Sequence, residues 1–150
     1  MEINKKKKTL KTIAEKLDCM SKFLDAKKAD KLLQVDVQES TTLCDYFIFA
    51  SAKNSTQVKA MCEGLEEELS KKYGIEPKCR DGIKDGKWAV LDYGDIIVHI
   101  LLDEVRTQYD IDSIWVNEKN NTINYTELSE ALLLEKRKLR LAKIKEQQDN

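Results

Sequence analysis

The residues best placed to do chemistry lie in one run, "WAVLDYGDIIVHILLDE", residues 88–104, which holds Asp92, Asp95 and His99, the single histidine of the chain. Two carboxylates and an imidazole could serve as a general acid–base set or hold a divalent cation through oxygen ligands. A second pair, Asp110 and Asp112, has the D-x-D spacing that puts both acids on one face of a strand, as polymerase-type nucleotidyl transfer requires. That chemistry also needs a glycine-containing turn for the phosphates, and the candidate turn, "SAKNST", has none. One histidine cannot be both a base and its own orienting partner. No G-x-S-x-G, H-E-x-x-H, P-loop or G-x-G-x-x-G run occurs. The cysteines, Cys19, Cys44, Cys62 and Cys79, form no C-x-x-C pair and read as reduced, mostly buried thiols rather than a zinc site or disulfide framework. No catalytic residue, metal site or cofactor is therefore expected, and the run poses a different question: a solvated acidic turn, or a surface meant for another molecule.

The elements that must position these residues can be read from periodicity. With Tyr93-Gly94 as a two-residue hairpin loop, Asp92 pairs with Asp95, Leu91 with Ile96, Val90 with Ile97, Ala89 with Val98 and Trp88 with His99. Side chains alternate across a sheet, so one face receives Ala89, Leu91, Ile96, Val98 and Ile100. The other receives Trp88, Val90, Asp92, Asp95, Ile97, His99 and Leu101. The first is a core face. The second mixes an aromatic, a histidine and two acids, with Tyr93 expected as an exposed aromatic at the loop tip, a typical contact residue. Trp88 beside His99 also fits a packed structural pair.

Upstream, Leu10, Ile13, Ala14, Leu17, Met20 and Leu24 share a helical face. Strands are expected over 32–37 and 44–51. Asn54 caps a helix with Gln57 at its third position; Val58, Met61, Cys62, Leu65, Leu69 and Tyr73 share a face, and Gly74 ends it. "PKCR" reads as a short strand, and "DEVRTQYDIDSIW" as a helical turn followed by a last extended piece. Residues 118–124 read as a polar linker, and a charged helix capped by Thr126 should run from 127 to about 145, with Leu128, Leu132, Leu139 and Ala142 as a thin apolar stripe. The order αββαβββ specifies an α/β (α+β) layer, a mixed β-sheet of about five strands flanked by helices, with a C-terminal helical tail. We divide the chain into a domain over 1–118 and a linker and charged helix over 119–150.

A length of 150 residues favours one domain. The longest charge-free apolar run, Ile96 to Leu102, is far short of the roughly twenty residues a membrane helix needs. The start, "MEINKKKKTLKT", lacks the apolar segment of a signal peptide, so a cytoplasmic protein is expected. A net charge of −1 hides a pattern: residues 1–28 carry nine lysines and four acids, residues 29–118 ten cations and eighteen acids, and residues 119–150 seven cations and five acids. The centre is acidic with basic ends. Nucleic acid is bound through cations, so little direct nucleic-acid binding is expected of the centre, which suits a basic protein partner instead. The "KKKK" at 5–8 could be a solvated end or a phosphate-binding arm.

"LCDYFIFAS", then "STQV" opening a helix, then "DG…GKWAVLDYGDIIVHILLDEVRTQYDIDSIW" closely resemble the ribosomal silencing factor family, also called iojap-like, over about residues 10–117. The family's W-x-x-x-D-x-G-D-x-x-V-H run falls on Trp88, Asp92, Gly94, Asp95, Val98 and His99. Its R-x-x-Y and terminal tryptophan fall on Arg106, Tyr109 and Trp115, and its D-Y pair on Asp45 and Tyr46. The chain departs mildly at Asp81-Gly82, at Thr56, and at Ile111-Asp112. The resemblance implies a nucleotidyltransferase-like fold without the catalytic site. It implies binding to the large ribosomal subunit through ribosomal protein L-fourteen, a steric block to small-subunit joining, and lowered translation when nutrients are scarce. Roles in large-subunit assembly and a homodimeric free state are also implied. The partner-binding residues would be Trp88, Asp92, Tyr93, Asp95, His99, Arg106 and Tyr109. A cryptic nucleotidyltransferase is the enzyme alternative, and an RNA-binding dimer led by the basic ends is the third.

Overall fold

The computed structural model describes residues 9–148. The 5–8 lysine run lies outside the described residues. The element order is α1 (Ile13–Ala26), β1 (Asp30–Asp36), β2 (Tyr46–Ala52), α2 (Ser55–Tyr73), β3 (Cys79–Asp81), β4 (Trp88–Asp92), β5 (Ile96–Leu102), α3 (Asp103–Gln108), α4 (Ile111–Trp115), β6 (Thr122–Asn124) and α5 (Tyr125–Gln148). The mixed α+β layer expected from the sequence is present, with six strands in the order β3-β4-β5-β2-β1-β6 rather than about five. Every neighbouring pair is antiparallel except β2 and β5, which run parallel at the centre.

Local chemistry sets the helix bounds. Thr12 caps α1 by accepting from the Glu15 backbone N–H, which starts the helix at Ile13 rather than Leu10. Asn54 Oδ1 accepts from Gln57 N at 2.8 Å, and Gly74 closes α2 in the left-handed conformation at φ 68°. Leu17, Met20 and Leu24 of α1 and Val58, Met61, Cys62, Leu65 and Leu69 of α2 press onto one face of the sheet, burying Ile48, Ala50, Ala89, Leu91, Ile96, Val98 and Ile100. The opposite face carries Leu33, Val35, Phe47, Phe49, Ile97 and Leu101, and is covered in part by α3 and α4.

Three expectations change. The extended piece expected at the end of "DEVRTQYDIDSIW" is the helix α4, so Asp110 and Asp112 do not share a strand face. The linker segment supplies β6, which pairs with β1 through Thr122↔Val35 and Ile123↔Gln34. Asn124, not Thr126, caps α5, accepting from Glu127 N; the Thr126 hydroxyl instead accepts from Leu32 N, tying the helix root to β1. Of the thiols, Cys44 and Cys62 are buried, Cys19 is half-buried, and Cys79 is exposed. Burial and nearby acids push the Cys44 thiol up to about 11, and burial with Glu66 pushes Cys62 up to about 12, so both stay protonated and unreactive. No helix among the described residues is long and apolar enough to cross a membrane.

Candidate functional site

The hairpin formed by β4 and β5 pairs Trp88 with Leu101, Ala89 with Ile100, Val90 with His99, Leu91 with Val98 and Asp92 with Ile97. Its turn is Gly94-Asp95, closed by a hydrogen bond from Tyr93 N to Ile96 O, not the expected Tyr93-Gly94. Gly94 has a φ of 91°, open to glycine and strained for other residues. A two-residue loop with glycine first is as good a hairpin signal as one with glycine second, and the sequence offers both. Displacing the loop by one residue keeps the alternation, so the two strand faces keep their expected members.

The change in loop redistributes the acids. Asp92 Oδ1 accepts from Gly94 N at 2.8 Å and steadies the turn. Asp95 does not face Asp92. Its Oδ2 accepts from Lys16 Nζ at 2.9 Å, and its backbone carbonyl accepts from Asp45 N and Tyr46 N. Asp95 is thus a knot joining the hairpin to α1 and to the start of β2, and the cation it meets is this chain's own. Tyr93, expected at an exposed tip, is 8% exposed and packs in the core beneath α2, where burial raises its phenol and its hydroxyl finds no partner among the described residues. The residue fills the hole where the sheet ends rather than reaching outward.

On the other face an aromatic cluster forms. His99 stacks on Phe49 with ring centroids 5.0 Å apart and meets Phe47 edge-on at 4.8 Å. The Trp88 indole N–H donates to His99 Nδ1 at 3.1 Å, which leaves the ring proton on Nε2, an enclosed atom without a partner among the described residues. Burial pushes the His99 imidazole down to about 4, so it is neutral at pH 7. This is the packed Trp88–His99 pair considered from the sequence. Trp115 meets Phe47 edge-on at 4.7 Å, and Tyr109 lies 5.9 Å from Trp88. Tyr109 and Ile114 are both 58% exposed, with Trp88, Val90 and Trp115 half-buried around them. The result is an open apolar patch on β4, α3 and α4, with Asp92 at its hairpin end.

Arg106 is the clearest departure from the expected contact set. It is 3% exposed, and its guanidinium makes a two-pronged bond to Asp112, with Nε to Oδ1 at 2.8 Å and Nη2 to Oδ2 at 3.2 Å. Nη1 donates to the Lys31 carbonyl and the Ser51 hydroxyl. All of these partners belong to the same chain: Arg106 clasps α3 and α4 onto β1 and β2. Asp112 is its counter-ion, which explains why the D-x-D spacing needs no ion to justify it.

Tyr109 therefore stands at the surface with Trp88 and Asp92 half-buried beside it and His99 under them; Tyr93 and Arg106 are buried, and the half-buried Asp95 ties the hairpin to α1. Ile114 adds to the exposed side, and the buried Phe47 and Phe49 pack beneath the patch; these three were not singled out from the sequence. The signal for the two phenylalanines was their alternation in "YFIFA". Their meeting with His99 depends on the parallel register Phe49↔His99, which joins segments 50 residues apart. The imidazole is held neutral by burial, and Asp92, Asp95 and Asp112 bond a turn amide, a lysine and an arginine of this same chain.

Comparison with known proteins gives a consistent result. A family model described as "Ribosomal silencing factor during starvation" matches residues 10–150. A ribosomal silencing factor of Chromobacterium violaceum is 32% identical over 92 residues, covering 61% of this chain and 75% of that protein. One of Haemophilus influenzae is 30% identical over 99 residues, covering 66% of this chain and 96% of that protein. A mouse protein named for mitochondrial assembly of the ribosomal large subunit is 24% identical over 101 residues, covering 66% of this chain and 44% of that protein. Among solved structures, a Chromobacterium violaceum protein superposes with a TM-score of 0.67 at 28% identity, covering 72% of this chain and 89% of that one.

Proposed function

This chain belongs to the ribosomal silencing factor family, and we propose that it represses translation by sitting on the large ribosomal subunit and blocking the small one. The partner is ribosomal protein L-fourteen, as the resemblance implies, in the cytoplasm, and the mechanism is steric and non-catalytic. The observation that carries this reading is the patch of Trp88, Val90, Tyr109, Ile114 and Trp115 beside Asp92, on a body whose residues 29–118 hold eighteen acids against ten cations. An apolar, aromatic patch on an acidic body is the form of a protein-docking site for a basic partner. Trp88 and Tyr109 supply the contact area and Asp92 a charge. His99 acts through Trp88 as a positioning residue, and Tyr93, Asp95 and Arg106 act by keeping the frame. When free, the protein pairs as a homodimer.

The test is co-sedimentation. The wild-type chain should travel with free large subunits and not with joined ribosomes, and Trp88→Ala with Tyr109→Ala should weaken that binding at least tenfold. Unchanged binding by the double variant would remove the patch from the interface. A second reading, a role in large-subunit assembly, is favoured by the name of the mouse relative. It predicts that loss of the protein leaves immature large subunits, where pure silencing leaves mature ones.

A further inference from the structure

The far half of α5 lies open to solvent. From Ala131 to Gln147 every residue is exposed. Residues 135–146 carry Lys136, Arg137, Lys138, Arg140, Lys143 and Lys145 against Glu135 and Glu146. Lys138 pairs with Glu135 at 3.7 Å; among the described residues, Lys136, Arg137, Arg140 and Lys143 have no carboxylate within 4.0 Å.

At about 100° per residue these four cations fall in a sector roughly 120° wide, and at 1.5 Å per residue they span about 10 Å along the axis. No acid of the helix lies in that sector: Glu127, Glu130, Glu135 and Glu146 all project elsewhere. The root, by contrast, is fixed. Leu32 N donates to Thr126 Oγ1, Ser129 Oγ donates to Asp25 Oδ2, and β6 pairs with β1. The arm thus leaves the sheet at the β6 edge, four strand spacings from β4, or roughly 19 Å from the aromatic patch.

We propose that the distal half of α5 is an RNA-binding arm, in which Lys136, Arg137, Arg140 and Lys143 neutralise the phosphate backbone of a double-helical RNA. This rests on the reading above insofar as a large ribosomal subunit would supply such RNA beside the protein partner. The acidic centre, residues 29–118, repels the same phosphates, so it does not share this contact. Arginine and lysine along one helix face suit phosphates read by position and charge, without base sequence. A second contact far from the first raises the occupancy of both without altering either.

The experiment uses the full chain and a protein-free RNA duplex, so it is independent of the ribosome. With four phosphates neutralised, affinity should fall roughly a hundredfold between 50 and 200 mM salt. Changing Lys136, Arg140 and Lys143 to Gln keeps good helix formers and should leave only a three- to fourfold salt effect, by the same counterion arithmetic, with helicity unchanged by circular dichroism. Trp88→Ala should bind the duplex as the wild type does, while losing large subunits. Failure of the wild type to bind duplex at 50 mM salt would overturn the proposal, as would equal binding by the triple-Gln variant. Leu133 and Ile144 share the basic sector, so polyglutamate is the control: binding it as tightly as RNA would overturn the RNA assignment in favour of an acidic protein.

Discussion

Replacing Arg106 by alanine separates a clasp from a contact. The guanidinium donates four hydrogen bonds, to both oxygens of Asp112, to the Lys31 carbonyl and to the Ser51 hydroxyl. Their loss does not cost the same at each partner. Asp112 is 43% exposed as a side chain and Lys31 is a surface residue, so water can replace much of what Arg106 gave them. Ser51 is 1% exposed and cannot be rehydrated in place. An unsatisfied buried hydroxyl costs about 1–3 kcal/mol, and the residual charge-assisted pair with lost packing of the arginine stem adds about 1 kcal/mol. The expected destabilisation is therefore about 2–4 kcal/mol, or roughly 5–15 °C in Tm for a chain of this size. Urea unfolding followed by tryptophan fluorescence would measure it, and Asp112→Asn, which leaves a buried guanidinium without its counter-ion, should cost about 1–3 kcal/mol on the same scale. Arg106→Ala, held well below its Tm, should keep its affinity for large subunits. A variant of unchanged stability that loses that affinity would refute the clasp and restore Arg106 to the interface.

Two further outcomes follow from buried groups. The folded protein holds His99 near 4 against an ordinary 6.5, so the unfolded chain binds the extra proton between those values. Its contribution is whole above pH 6.5 and is lost as pH falls toward 4, by roughly 2–3 kcal/mol; His99→Phe should flatten that part of the urea-midpoint profile relative to wild type, and parallel profiles would refute it. Thiol reagents at pH 8 should label Cys79 first and Cys19 more slowly, with Cys44 and Cys62 protected until unfolding. Rapid labelling of Cys62 in the native state would contradict its burial on the sheet-facing side of α2.

Much of this fold is legible where the signal is local. Asn54 and Gly74 mark both ends of α2 because capping depends on neighbours three or four residues away. The two hairpin faces survive a displaced turn because alternation fixes faces and not the loop. What one chain read alone does not supply is distance. The parallel β2–β5 pairing creates the aromatic cluster, and nothing in "CDYFIFAS" says that His99 will lie beside Phe49. Arg106 resembles a surface arginine until Ser51 and the Lys31 carbonyl are seen within reach. Tyr93 sits beside a turn, where exposure is the ordinary expectation, and only the overhang of α2 buries it. β6 is three polar-flanked residues, too short to stand out from a linker without β1 to pair with. Asp95 keeps its importance but changes role, since its cation is Lys16 of α1.

The central claim is that this protein silences by occupation, and subunit joining measures it directly. Light scattering would follow purified large and small subunits as they associate, with the protein added at one copy per large subunit. The joined fraction should fall with wild type and recover fully with Trp88→Ala plus Tyr109→Ala. A joined fraction that stays unchanged while the wild-type protein remains bound to the large subunit would contradict the account.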